Sequence, residues 1–473
     1  MTPPEFSEPA SPRAEWLNLS ALAQAEAVRR GEFTSAALVD LYLDRIERLD
    51  GQLGAFVHVQ AERARRDAAR KDRERASGKA LPPFHGLPIA VKDLHLLRFA
   101  PARFGSRAWR FIRSPVDDLT VRALRRAGFV IVGKTSTSEL ALMPFVETDI
   151  HPPTRNPWNL KRISGGSSGG AAAAVAARLL PLSPGSDGGG SVRIPASLCG
   201  LVGFKPSRGV IPNPHAPVDF LGMTAIGALT RSVDDAAALC DVLCGRAPLT
   251  SGSWLSTIKQ PPDRTVAQGL NIALWLDSPL EGPVATSHAA ATRAAADRLT
   301  ALGHRITRVP RIPVTLDEFL PIYQRLFTKT PVLFESKLQP VTAWFRREGR
   351  RYSDEDARAS MARLVERAEL AIREYDLVLC PTIPVATPTV GEFAHLGPEA
   401  MFRAAAPLGA FTAAWNITGR PALTLPWGRD ADGLPIGVQF VGQRGADLQV
   451  LGLARALEPD PARRDVYGDR PLA

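Results

Sequence analysis

The stretch Gly185-Ser186-Asp187-Gly188-Gly189-Gly190-Ser191-Val192-Arg193-Ile194-Pro195-Ala196 decides how this chain is read. With no Cβ, Gly188, Gly189 and Gly190 let the backbone bend so that successive N–H groups converge and a carbonyl can approach closely. Serine is a weak nucleophile until a base takes its proton, and attack on an amide needs donors where the carbonyl oxygen becomes negative. Ser191, directly after the turn, is placed as such a nucleophile. Taken alone, Gly-Gly-Gly-Ser reads first as a tight turn.

Upstream lies Gly165-Gly166-Ser167-Ser168-Gly169-Gly170, followed by an alanine-rich helix expected over 171–180. A flexible linker would not enclose a helix between two glycine clusters, so the region reads as a site and not a spacer. A helix N-terminus also favours negative charge, which admits a phosphate cradle. There is no GxxxxGK[ST], however, and no GxGxxG after a strand. The same residues satisfy GxSxG, the nucleophile elbow of α/β-hydrolases, but 159–164 is too polar for the central strand that elbow requires.

Further upstream, Gly86-Leu87-Pro88-Ile89-Ala90-Val91-Lys92-Asp93 ends an apolar run in a lysine. An ammonium at the end of a buried strand is desolvated unless paired, and burial lowers its pKa until it can accept a proton. Lys92 is thus a candidate base. The competing reading is a bridge to Asp93 or a reach into water.

The rest of the chain alternates helical and strand patterns, as in an α/β protein. Thr34-Ser35 predicts an N-cap for a helix after it, and further helices are expected near 59–76, 118–127, 233–244, 286–302, 353–374 and 447–458. Strands are expected at 87–91, 129–134, 270–276, 376–381, 421–426 and 437–441. Residues 246–268, rich in Pro, Ser and Gly, read as a surface excursion.

A chain of 473 residues with 45% hydrophobic content can bury a large core. The start, Met1-Thr2-Pro3-Pro4-Glu5-Phe6, lacks the features of a secretory signal, and no apolar run is long enough to span a bilayer; a cytoplasmic protein is expected. Cys199, Cys240, Cys244 and Cys380 form no CxxC pair and the histidines no ligand spacing, so no metal and no cofactor are expected. Cys240 and Cys244 are expected to share a buried helical stripe. The net charge of +10 raises nucleic acid as a partner. Yet its arginines interleave with acids, as in Glu62-Arg63-Ala64-Arg65-Arg66-Asp67, which reads as a solvated helix face.

These motifs, with Cys199-Gly200-Leu201-Val202-Gly203-Phe204-Lys205-Pro206, Gly227-Ala228-Leu229-Thr230-Arg231-Ser232, Asn416-Ile417-Thr418-Gly419-Arg420-Pro421 and Gly433-Leu434-Pro435-Ile436-Gly437-Val438-Gln439, together resemble the amidase signature family in order and separation. The good matches cover roughly half the chain, with almost none over 250–375. The resemblance implies an α/β amidase signature fold, a large mixed sheet surrounded by helices, in one domain over 1–473. Its signature core would span 85–245 and 415–460, and its variable pocket region 250–410.

It further implies Ser191 as nucleophile, Ser167 as a bridging serine after a cis peptide, and Lys92 as general base. Backbone N–H groups of Gly188, Gly189, Gly190 and Ser191 would form the oxyanion hole, with Ser168, Asp187 and Arg193 supporting the loop. Gly188 stands where the family usually carries Thr or Ile. By analogy Ala141, Leu142, Met143, Gly222 and Met223, within a loop over 219–224, and the stretch 310–410 would line a pocket. Phe319, Tyr323, Phe327, Phe334, Trp344 and Phe345 offer it an apolar wall, although aromatics at helical spacing are commonly core.

The implied activity is hydrolysis of a small neutral or apolar amide, anilide or carbamate through an acyl-enzyme, by a monomer or homodimer with no nucleic acid or membrane partner. Within the family the rival is the A-type subunit of a glutamine-dependent tRNA amidotransferase. Outside it, the rival is a catalytically silent binding protein.

Overall fold

Pro88-Ile89-Ala90-Val91-Lys92 is buried along its whole length, as expected of a strand covered on both faces. It belongs to a three-stranded sheet formed by β1 (Phe56–Val59), β2 (Pro88–Lys92) and β3 (Val130–Thr135), in the order β1-β3-β2. The β2–β3 pair is parallel and sets Lys92 beside Thr135. A short ribbon of β4 (Arg155–Asn156) and β5 (Asn159–Ile163) follows, so the polar 159–164 segment lies outside both larger sheets. The computed structural model describes residues 13–248, 250–260, 268–280 and 282–458.

An eight-stranded mixed sheet makes up the body. Its members are β6 (Ser183–Asp187), β7 (Val202–Lys205), β8 (Ala225–Thr230), β9 (Asn271–Trp275), β10 (Arg305–Val309), β11 (Leu377–Pro381), β12 (Ala422–Arg429) and β13 (Pro435–Gly442), ordered β10-β9-β11-β13-β12-β7-β8-β6. Strands β9, β10 and β11 run parallel and the remaining pairs antiparallel. Alternate side chains face opposite ways. Phe204, Ile226, Leu423 and Phe440 join the core beneath helices Val233–Leu243, Thr286–Ala301 and Asp447–Leu457. Trp275, Val378, Ala422 and Val441 join an aromatic core with helices Leu316–Phe327 and Pro340–Gly349.

The expected helices form with small shifts at their ends. Thr34 accepts from the Ala37 N–H and caps Ser35–Leu53. The alanine-rich helix runs Gly169–Ala176, every residue buried, and stops short of 180, where Arg178 turns to a φ of +56°. Two expectations need correction. The 246–268 excursion contains helix Trp254–Ile258, which buries Trp254, Leu255 and Ile258; residues 249 and 261–267 of it, like the N-terminal 1–6, lie outside the described residues. Cys244 is half-buried at a helix end, not part of a fully buried stripe. Among the described residues no helix is long and apolar enough to cross a membrane.

What fixes the turn after β6 is a buried ionic network. Asp187 ends β6, and its carboxylate accepts from Arg193 Nε at 2.9 Å and Nη2 at 2.8 Å, from the N–H groups of Gly190 and Val192, and from Asn416 Nδ2 at 3.0 Å. The remaining Arg193 donors reach Asn416 Oδ1, Gln439 Oε1 and the Thr412 carbonyl at 2.7, 2.7 and 3.0 Å. Burial works to raise Asp187, but the Arg193 guanidinium holds it well below the usual carboxylate range. One cluster thus ties the turn to helix Ala413–Thr418 and to β13. Removing one member strands the others without partners. Arg193→Met is expected to lower unfolding free energy by about 3–5 kcal/mol in urea denaturation; a change below 1 kcal/mol would show that the network does not hold the turn.

Candidate active site

Lys92 ends β2 with its side chain fully buried. Its Nζ lies 2.7 Å from Ser167 Oγ and 2.9 Å from Ser186 Oγ, with the Ser186 carbonyl at 3.4 Å. The bridge to Asp93 does not form: Asp93 pairs instead with buried Lys134 at 2.5 Å, as opposite faces of successive strand residues dictate. Burial pushes the Lys92 ammonium down to about 7, against an opposing pull from the Asp187 charge. Ser186 was not singled out in the sequence. The signal was its place two residues before the glycine turn, on the strand facing β2.

The Gly166–Ser167 peptide is cis, as the family resemblance implied, and Ser167 is fully buried. Ser168 donates its N–H to the Ser191 carbonyl at 3.1 Å and its hydroxyl to the Ser186 carbonyl at 3.3 Å. The two serine-bearing turns are therefore stitched to each other. Gly190 sits at φ +130°, and a Cβ there would lie 2.2 Å from Thr412 Oγ1. That hydroxyl donates to the Gly189 carbonyl at 2.7 Å, so the turn is held close against the Thr412 segment.

Four oxyanion donors were expected, and one is otherwise engaged. The Gly190 N–H donates to Asp187 Oδ1 at 2.8 Å. The N–H groups of Gly188, Gly189 and Ser191 have no acceptor among the described residues. The loss of Gly190 follows from Asp187, whose carboxylate collects the donors that converge behind the turn.

Two cavities meet at Ser191. The smaller, about 710 Å³ including its mouth, is walled by Leu142, Ile194, Val314, Leu316, Phe319 and Phe402. The larger, about 1230 Å³, holds Ser167, Ser186 and Ser191 on one side and Phe104, Trp109 and Phe327 on another. Of the expected lining residues, Ala141 faces the larger and Leu142 the smaller. Met143, Gly222 and Met223 line neither: the Met143 carbonyl accepts from Ser138 Oγ, and the Met223 carbonyl from Asn416 Nδ2. Asp219 and Thr224, from the same loop as Met223, do line the larger cavity.

Among the expected aromatics, Phe319, Tyr323 and Phe327 reach the cavities. Phe345 stacks behind them in edge contacts with Tyr323 and Phe327, Trp344 packs on Phe345, and Phe334 is 55% exposed. Asp118 and His215 also border the larger cavity; neither was anticipated. Burial works to raise Asp118, but its contact with His95 at 2.9 Å draws it down to about 2. Burial drives His215 down to about 3.

Comparison with known families matches residues 37–451 to the family described as Amidase, well beyond the half of the chain that the motifs covered. The 6-aminohexanoate-cyclic-dimer hydrolase of Paenarthrobacter ureafaciens is 33% identical over 94% of this chain and 96% of its own. A structure of 6-aminohexanoate cyclic dimer hydrolase complexed with substrate superposes with TM-score 0.83 at 30% identity, covering 94% of this chain and 98% of that one. A bacterial aryl acylamidase of the amidase signature family gives TM-score 0.81 at 25% identity, over 96% and 99%. Family match, fold and full-length relatives agree, and the chain belongs to the amidase signature family of amide-hydrolysing enzymes.

Proposed function

We propose that the protein cleaves the C–N bond of a small neutral or apolar amide, anilide or carbamate through an acyl-enzyme on Ser191, with Ser167 passing protons between Ser191 and Lys92. The observation that carries this reading is the 2.7 Å contact of a fully buried lysine with Ser167, in a cavity wall that Ser167 shares with Ser191. In its neutral form the amine accepts the Ser167 hydroxyl proton along that contact, while an Nζ–H donates to Ser186 Oγ. Ser167 takes the proton of Ser191, whose Oγ attacks the carbonyl carbon.

The oxygen that becomes negative would be met by the N–H groups of Gly188, Gly189 and Ser191. As the C–N bond breaks, Ser167 returns a proton to the departing nitrogen. Water then attacks the ester by the reverse path.

The cavity linings speak against glutamine as substrate. Its α-carboxylate calls for a cation, and among the described residues no lysine or arginine lines either cavity. The two carboxylates at the larger cavity are committed, Asp118 to His95 and the Leu96 N–H, and Asp219 to the N–H groups of Met223 and Thr224. Neither carboxylate is left to meet an α-ammonium.

A fluorophosphonate probe should label Ser191, and Ser191→Ala should lose both labelling and turnover of p-nitroanilides. Lys92→Ala should be at least about a hundredfold slower. Because the base works only when neutral, and Lys92 is neutral above about 7, kcat/KM should climb as pH rises through that value and level off above it. That limb should vanish in Lys92→Ala; an unchanged rate with an unchanged limb would refute the base assignment.

A further inference from the structure

We infer that the two cavities divide the substrate at its scissile bond: the smaller receives an aliphatic acyl chain and the larger an aryl or comparably bulky amine, so that the protein acts on N-substituted amides. This rests on the catalytic reading above, because the direction follows from where the proton comes back. Among the described residues Ser191 and Tyr323 are common to both cavities, so a carbonyl carbon over Ser191 stands at their boundary. Ser167 and Ser186 line the larger cavity and not the smaller.

Once the Ser191 Oγ–carbon bond has formed, the nitrogen that leaves must take its proton from Ser167 as the C–N bond breaks. It therefore has to point into the larger cavity. The acyl substituent, on the other side of the same carbon, is left with the smaller one.

The chemistry of each wall agrees with its assigned half. The smaller cavity is bounded by Leu142, Ile194, Val314, Leu316, Phe319 and Phe402, with no charged residue among the described residues of its lining, and gains from burying methylenes. The larger one presents Phe104 and Trp109 in edge contact at 5.1 Å, with Phe327, for a ring to stack on. Its greater free space suits the bulkier half.

The test is a crossed series: acetyl, butyryl and hexanoyl groups, each as p-nitroanilide and as primary amide, on the wild type, Ala410→Phe in the smaller cavity and Val218→Trp in the larger. In the wild type kcat/KM should rise by about fourfold per added methylene, and anilides should exceed primary amides. Ala410→Phe should cut the hexanoyl-to-acetyl ratio by about tenfold or more. Val218→Trp should cut the anilide-to-primary-amide ratio instead.

If Ala410→Phe does not fold, Phe402→Ala replaces it and should move the preferred acyl chain to greater length; if Val218→Trp does not fold, Phe327→Ala replaces it and should lower the anilide-to-primary-amide ratio. Overturning results are a crossed pattern, with Ala410→Phe changing amine preference and Val218→Trp changing acyl preference, or a flat acyl dependence in an active wild type. In both cases Ser191 labelled by fluorophosphonate shows that the division alone has failed. Turnover surviving in Ser191→Ala, or none in the wild type across the series, would bring down the catalytic reading with it.

Discussion

Everything at this site depends on an amino group buried without a counter-charge of its own. Lys92 is fully enclosed, and two acids stand near it in chain or space. Asp93 is taken by Lys134 and Asp187 by Arg193. What remains for Lys92 is hydroxyl and carbonyl oxygen from Ser167 and Ser186. Such partners solvate an amine but do not neutralise an ammonium, so desolvation wins and the proton is held loosely. A salt bridge in the same place would have made the residue structural.

The architecture supplies that arrangement by bringing two sheets together. Strand β2 of the small sheet delivers the lysine, and β6, the edge strand of the large sheet, delivers Ser186 and the turn with Ser191. An edge is where Pro184 is tolerated, since its missing N–H costs no ladder bond on the open side. The turn itself is held from behind by Asp187 and from the side by Thr412. Its backbone geometry is thus set by residues more than two hundred positions apart in sequence, and the N–H groups of Gly188, Gly189 and Ser191 are left without an acceptor among the described residues.

The residues of the proposed triad stood out through two local signals, an apolar run ending in lysine and serines next to glycines that serve no linker, while the bridging role of Ser167 came from the family resemblance alone. The large-sheet strands rich in apolar residues, such as β11 and β13, were legible for the same reason. Strand β6 was not, because Ser183-Pro184-Gly185-Ser186-Asp187 carries no β-forming pattern and is shaped by its pairing with β8. Gly190 was counted as an oxyanion donor because sequence cannot show that Asp187 folds back on it. The cavity wall was half legible: aromatics on helix Leu316–Phe327 and its neighbours were visible, but which of them face the cavity depends on how the helices pack. Phe319 and Phe327 do, Phe345 lies behind, and Phe334 is exposed.

The proton on Lys92 is read directly by NMR of protein carrying ¹³Cε-labelled lysine. Lys92 and Lys205, two of the three buried lysines among the described residues, are each driven by burial to about 7 from an ordinary 10.5, so assignment uses Lys92→Met. A lysine resonance should titrate near 7 in the wild type and be missing from that variant, with the Lys205 signal still present. A Lys92 resonance that stays protonated up to the ordinary lysine range would contradict this.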